Sequence, residues 1–253
     1  MMSLKLKPRL RMAASLIEEG PVPSLIADIG SDHGRLICWL LHRYPDVKGI
    51  ATDISRPSLM KAEQLAEQEG LSERITCLCG DGLEPLRGVK PDILLICGMG
   101  GELIRDILAS AEEPLGGART AVLQPMSGTE ELREYLFSNG YQVVSDRIVK
   151  EGGRYYQVFS VKKDGTPDIL PDGFPKGLFS IGYRSYADQD PLYREYLMFL
   201  ISRLDRRLEE AAGSGGENRL REQRELLESA DFGDRKQIGK GNGIDLHGYR
   251  DDV

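Results

Sequence analysis

The sequence predicts an α/β protein whose central sheet has seven strands, the last of them antiparallel, followed by a small helical unit. Three observations carry that expectation. From Pro23 to Lys163 short β-branched runs alternate with helix-sized segments, the pattern of parallel strands with helices on both faces. The sixth and seventh runs are separated only by Glu151-Gly152-Gly153, a hairpin connection, whereas an ordinary dinucleotide-binding domain adds further parallel crossovers. Beyond Pro191 apolar residues recur at three- and four-residue spacing, which predicts helices.

In chain order the predicted strands are Leu25 to Ile29, Lys48 to Asp53, Arg74 to Cys79, Asp92 to Cys97, Ala121 to Gln124, Gln142 to Val149 and Arg154 to Val161. The first five are separated by segments long enough for helices, and a further helix is expected from Thr129 to Ser138. The stretch KKDGTPDILPDGFPKG, rich in proline and glycine, reads as a linker. Leu192, Tyr196, Phe199, Leu200, Leu204 and Leu208 then line one helix face, Gly213-Ser214-Gly215-Gly216 breaks the helix, and Leu220, Leu226 and Leu227 mark its return as an antiparallel, coiled-coil-like hairpin. The resulting organisation is an α/β domain over residues 1–163, a linker and helical hairpin over 164–232, and a mobile tail over 233–253.

The 253 residues, 40% hydrophobic and 29% charged, suffice for one sizeable domain and a smaller appendage. A net charge of −7 argues against a protein that simply coats nucleic acid, although local basic patches decide contact with phosphates. Lys5, Lys7, Arg9 and Arg11 form one such patch. Arg203, Arg206, Arg207, Arg219, Arg221 and Arg224 offer either a second patch or a merely solvated helix face. The basic N-terminus lacks the apolar run of a signal peptide, and no apolar stretch approaches membrane-spanning length, so the expectation is a cytoplasmic protein that does not engage membranes. A monomer is the expected oligomeric state. Cys38, Cys77, Cys79 and Cys97 show no zinc-site spacing and read as buried reduced thiols, with no metal site.

The segment ADIGSDHG, residues 27 to 34, delivers the first strand to the edge where open α/β sheets bind ligands. Gly30 and Gly34 permit a sharp turn and a close backbone approach before a helix that starts near His33. A phosphate at such a turn would meet Asp28 and Asp32, which oppose an anion. The two carboxylates, with Ser31 between them, suit a ligand that brings positive charge, and S-adenosylmethionine does so through its sulfonium and α-amino groups. His33 either lines the mouth of this site or caps its helix.

Asp53, about twenty residues beyond the glycine turn and followed by Ile54, stands where an acid accepts both hydroxyls of a ribose; alternatively it caps the helix opening at Ser55. Asp81, between Gly80 and Gly82 at the end of the third strand, can take the exocyclic amine of an adenine or belong to a plain Asp-Gly turn. Three acids at three successive strand ends form the strong signal. The fourth strand ends in Cys97-Gly98-Met99-Gly100-Gly101, which holds no polar side chain able to grip an exocyclic amine and therefore fits a ring-nitrogen acceptor, unless the glycines serve only a tight turn.

These motifs, IADIGSDHGRL, ATDIS, GDGL and LLICGMGGELI, with LQPM, LREYL and KEGGRYYQV after them, resemble the bacterial tRNA adenine-22 N1-methyltransferases over residues 4 to about 162, and IGYRSYADQDPLYREYL extends the likeness. His33-Gly34-Arg35 departs from the family, which more often has a small and then an aromatic residue after the histidine. The resemblance implies a Rossmann-like class I methyltransferase fold, S-adenosylmethionine as methyl donor, and N1 of an adenine in the tRNA D-arm as acceptor. It implies cofactor contacts from Asp28, Gly30, Ser31, Asp32, His33, Asp53, Ile54, Gly80, Asp81, Gly82, Cys97 and Gly98. Neutral adenine already presents a lone pair at N1, so alignment matters more than a strong base; Asp32 and Met99 are the candidates nearest the reacting atoms, with Asp32 able to stabilise the cationic product or accept a proton. Arg9, Arg11, Gly100, Gly101 and Gln124 are the candidate tRNA contacts. Competing readings are the same chemistry on another RNA, a protein or a small molecule, and a non-catalytic RNA-binding protein that responds to the cofactor. A nicotinamide-dependent dehydrogenase ranks last because the acidic turn suits pyrophosphate poorly.

Overall fold

The computed structural model describes residues 4–166, 168–211 and 217–231; the expected break at Gly213 to Gly216 and the tail over 233–253 lie outside them. Strands β1 (Leu25–Ile29), β2 (Lys48–Asp53), β3 (Ile75–Cys79), β4 (Ile93–Gly100), β5 (Thr120–Ser127), β6 (Gln142–Glu151) and β7 (Arg154–Lys162) form one sheet in the order β3-β2-β1-β4-β5-β7-β6. Only β7 runs against its neighbours, pairing antiparallel with β5 and β6. Because β1 pairs with both β2 and β4, the chain order reverses at β1, and the crevice beyond its carboxyl end is where such a sheet takes ligands.

Helices α1 (Pro8–Glu18) and α2 (Arg35–Arg43) cover one face, where Ala13, Ile17, Ile37 and Leu41 pack with Ile26, Leu95 and Val158. Helices α3 (Arg56–Gln68), α4 (Gly101–Ala109), α5 (Thr129–Ser138), α6 (Tyr183–Ala187), α7 (Tyr193–Glu210) and α8 (Glu217–Ser229) complete the described helices. The apolar cluster on the second face joins Leu94, Leu123 and Phe159 of the sheet to Ile104 and Leu132, and continues into Leu197, Leu204 and Leu227. The Tyr193 hydroxyl at the start of α7 donates to the Ala230 carbonyl just beyond α8, so the two helices run antiparallel as their spacing predicted.

Three features differ from the sequence expectation. Between β3 and β4 there is no helix, only a single 3-10 turn over Glu84–Leu86, because Gly82, Pro85 and Gly88 interrupt any longer helical run. β4 and β5 extend to Gly100 and Ser127, past the predicted Cys97 and Gln124, with a bulge at Cys97–Met99 that absorbs the left-handed Gly98. Helix α1 at the basic N-terminus is absent from the sequence expectation, although Pro8 at its start and Leu10, Ala13, Ala14 and Ile17 along one face carry the signal.

A buried ion pair fixes the second face. Arg133 of α5 and Asp146 of β6 are both fully buried; Arg133 donates to Asp146 Oδ2 at 3.0 and 3.2 Å, to Gln157 Oε1 at 2.6 Å and to the Phe179 carbonyl, and it lies over the Phe159 ring. Helix, hairpin and the segment leading to α6 are thereby tied at one point.

Candidate active site

The turn after β1 holds three left-handed residues within five positions: Gly30 (φ 65°), Asp32 (φ 49°) and Gly34 (φ 68°). Glycine adopts that region freely and aspartate tolerates it. Its backbone is pinned to the neighbouring strand, since Ser31 N donates to the Thr52 carbonyl at 2.9 Å and Asp32 N to Asp53 Oδ2 at 3.1 Å. The other Asp53 oxygen accepts from Ser55 N at 2.8 Å, so Asp53 both helps start α3 and braces the turn, while each carboxylate oxygen keeps a lone pair for a further donor. Helix α2 begins at Arg35, two residues after the expected start, and its N-cap Gly34 offers no side chain. His33 therefore does not cap it; its Nε2 lies 3.0 Å from Lys61 Nζ.

A cavity of about 270 Å³ opens at the ends of β1 and β4, lined by Asp28, the turn residues Gly30 to His33, Cys97 and Gly98, with Arg9 and Leu10 of α1 and Arg35 and Leu36 of α2. Asp28 is 3% exposed, and burial together with the charge of Asp53 raises its carboxyl to about 7. The Ser31 hydroxyl is buried in the turn without a hydrogen-bond partner among the described residues, and Ser31 is one of the residues that line the cavity. Burial and the nearby Asp28 push the Cys97 thiol up, so it stays neutral.

Further along the edge, Ile54 is 71% exposed, an apolar side chain left in solvent beside Asp53. Asp81 is exposed; its carbonyl accepts from Glu84 N, while its carboxylate has no partner among the described residues. Gly80 packs so closely on Pro85 that a Cβ there would collide with the ring, and Gly82 is left-handed at φ 50°. A second cavity, about 500 Å³, begins at Asp81, Gly82 and Leu83 and runs between the 3-10 turn and α4. Although larger, it lacks Asp28 and the glycine turn, so the smaller cavity is the centre of the site. Cys79, expected to be buried, is exposed at the end of β3, with its thiol 3.6 Å from the Ile54 carbonyl.

On the acceptor side Met99 reaches back over the glycine turn: a Cβ on Gly30 would collide with its terminal methyl. Gly100 pairs with Ser127, and Gly101 lies so close to the Gly128 backbone that it leaves no room for a side chain. Gly101 thus serves close packing of α4 on the β5–α5 connection. Asp32 is exposed, its side chain 70% accessible. Arg11 is exposed and has no side-chain partner among the described residues, as a phosphate contact requires. Arg9 and Gln124 differ from the expectation that both contact tRNA. Gln124 is fully buried, accepting from Arg9 Nε at 3.1 Å and donating to the Pro125 carbonyl at 2.7 Å. Arg9 is only 16% exposed and is held by Glu151 at 2.9 Å.

Residues 6–159 match the family described as a methyltransferase domain. The chain is 35% identical over 173 residues to the tRNA (adenine(22)-N(1))-methyltransferase of Bacillus subtilis, an overlap of 68% of this chain and 71% of that one. The chain belongs to the tRNA adenine-22 N1-methyltransferase family. The crystal structure of the Bacillus subtilis M1A22 tRNA methyltransferase TrmK superimposes with a TM-score of 0.77 at 27% identity, covering 90% of this chain and 99% of that one. A Streptococcus pneumoniae protein solved with S-adenosyl-L-methionine matches with a TM-score of 0.72 at 25% identity, over 88% of this chain and 97% of its own. The carboxylate row lies at the carboxyl edge of the seven-stranded sheet, where the class I fold is expected to take its ligand.

Proposed function

We propose that the protein transfers the methyl group of S-adenosylmethionine to N1 of adenine 22 in the D-arm of tRNA, acting as a monomer in the cytoplasm. The observation that carries this reading is the row Asp28, Asp53 and Asp81 at the ends of three successive strands, beside a turn that is left-handed and acidic. The residues fit the donor. Asp28 matches the α-ammonium and sulfonium, Asp53 has lone pairs for the ribose hydroxyls, and Asp81 has a free carboxylate for the adenine amine with Ile54 beside the ring. The orphaned Ser31 hydroxyl would gain a partner in the same step.

Bound S-adenosylmethionine supplies an electrophilic methyl on a positively charged sulfur. The protein's part is alignment. Met99 and the Gly98–Gly101 backbone define the side from which the base approaches, with no polar side chain to engage an exocyclic amine. Asp32, exposed at the rim, is placed to offset the positive charge of the methylated ring. Drawing the adenine out of the D-arm fits general base-flipping logic, and exposed Arg11, Lys5 and Lys7 supply phosphate contacts near the cavity; Arg206, Arg207 and Arg219 supply others on α7 and α8. The helical hairpin over 164–232 is read as a small domain attached to the methyltransferase domain over 1–163.

The test is transfer of label from S-adenosylmethionine to paired tRNA transcripts that differ only by adenine or guanine at position 22. Label on the adenine transcript alone is expected. Equal label on both would overturn the acceptor assignment, and label on neither, with protein or small-molecule acceptors labelled instead, would replace it.

A further inference from the structure

The sheet edge beyond β3 differs from the rest because no α-helix follows that strand. A 3-10 turn stands in its place, and α4 faces the turn across a cavity of about 500 Å³. Both walls carry apolar side chains at regular spacing. Leu86 N donates to the Leu83 carbonyl at 3.0 Å and Val89 N to the Leu86 carbonyl at 2.8 Å, so Leu83, Leu86 and Val89 share one side of the turn. Opposite them Leu103, Ile107 and Ser110, four and three residues apart along α4 and its C-cap, share one helix face, and Leu103 is left 50% exposed. Both cations at the cavity are engaged by carboxylates of its own rim, Arg87 by Glu112 at 3.6 Å and Lys90 by Glu113 at 2.8 Å. Among the described residues the cavity therefore offers no free cation to a phosphate.

We infer that this cavity is a binding site for an apolar group carried on the exocyclic nitrogen of an adenosine whose ring is held at Asp81. The inference rests on the cofactor reading above, in which Asp81 takes the adenine amine, and goes beyond it, since S-adenosylmethionine carries no group on that nitrogen. Asp81 is itself part of the cavity wall, so an amine bonded to its carboxylate stands at the mouth. That amine has two N–H groups and Asp81 needs one of them. A singly substituted amine keeps the bond and has its substituent free to enter the cavity. Gly82 keeps the way in open: a Cβ there would point at Ile107 at 3.4 Å and narrow the gap between the turn and α4. The volume lies within the roughly 300–1,000 Å³ of small-molecule sites, and it exceeds the 270 Å³ around Asp28. Apolar walls beneath a rim of paired charges favour a hydrocarbon group over an anion.

The experiment is calorimetric titration of the full-length protein with S-adenosylhomocysteine and with its N6-benzyl derivative. The wild-type protein is expected to bind the benzyl ligand about tenfold more tightly, because a half-covered benzyl group gains about half of what a fully buried phenylalanine side chain does. Leu103→Trp and Ser110→Trp each place a large ring on the α4 wall from a position that is exposed in the structure. In at least one of them the benzyl advantage is expected to disappear. The ratio of the two affinities is the quantity read, so a variant that also weakens the parent ligand still reports. Binding of the benzyl ligand no tighter than the parent in the wild-type protein overturns the inference, as does an advantage that survives in both variants. Failure of the wild-type protein to bind S-adenosylhomocysteine at all would overturn the cofactor reading itself, a separate outcome.

Discussion

Asp28 and Asp53 end neighbouring parallel strands, and the negative charge of Asp53 adds to burial in holding the Asp28 carboxyl up to about 7. In the free protein below that pH Asp28 is protonated, and an ammonium or sulfonium gains little from it. Binding a cationic ligand then requires loss of the proton. Affinity for S-adenosylhomocysteine is therefore expected to be flat above about pH 7 and to weaken by about tenfold per unit as the pH falls toward 5.5. Titrations in buffers of different ionisation enthalpy should show a proton released near pH 6. Affinity independent of pH over this range, with no proton released, would contradict the assignment of Asp28 to the cationic end of the ligand.

The same carboxyl makes a stability prediction for the ligand-free protein. Unfolded aspartate titrates near 3.9, well below the folded value of about 7 for Asp28. As the pH rises from 4 to 7 the unfolded chain gives up this proton before the folded one does, so stability declines across that window, and the cost is complete above it. The full shift corresponds to an upper bound on the order of 4 kcal/mol. Asp28→Asn, which cannot ionise, should raise the melting temperature at pH 8 far more than at pH 4, while removing cofactor binding. Thermal unfolding at the two pH values decides the matter, and an equal change at both would rule the burial argument out.

Much of the frame was legible because periodicity reports burial. Leu25 to Ile29 and Lys48 to Asp53 match β1 and β2 residue for residue, and the Glu151-Gly152-Gly153 spacing announced the β6–β7 hairpin. The acids were legible because a strand end fixes where a side chain stands. Partnership across the chain was not. Glu151 and Gln124 meet Arg9 across 142 and 115 residues, and no local pattern marks two distant acceptors that converge on one guanidinium. Gln124 looked available because it is the last residue of a short predicted strand; three more residues of strand carry β5 past it and leave it fully buried. Cys79 shows the converse, since alternation places it in a strand while the strand's last position leaves it exposed.

Gly101 tests whether the glycines after β4 serve packing. A Cβ there would collide with the Gly128 carbonyl and press on the carbonyl of Ser127, and backbone cannot step aside as a side-chain end can. Gly101→Ala should therefore cost roughly 1–3 kcal/mol through overpacking, and it should displace the start of α4 from the acceptor side. Gly30→Ala meets only the flexible end of Met99, but it forces alanine to φ 65°, so its cost is backbone strain. Adding Met99→Ala should leave the Gly30→Ala loss of stability largely intact. Denaturant unfolding of the three variants separates collision from strain; full recovery in the double variant would show the Met99 contact to be the cause.

Arg133 and Asp146 lie on the opposite side of the sheet from the cavity, in the layer that carries α7 and α8. Removing the cation alone strands a buried carboxylate, so Arg133→Met is expected to destabilise the protein by about 3–5 kcal/mol. Burial already raises the Asp146 carboxyl even with its partner present, and its Oδ1 and the Gln157 amide nitrogen have no hydrogen-bond partner among the described residues. The pair therefore stabilises less than its loss would cost, and Arg133→Met with Asp146→Asn should recover much of the deficit because no unpaired charge remains. Neither variant touches Asp28, Asp53 or Arg9, so S-adenosylhomocysteine affinity of the folded protein should stay unchanged while unfolding in urea reports the difference. If the double variant proves as unstable as the single one, the Arg133 bonds to Gln157 and the Phe179 carbonyl, not the ion pair, hold the C-terminal helices to the sheet.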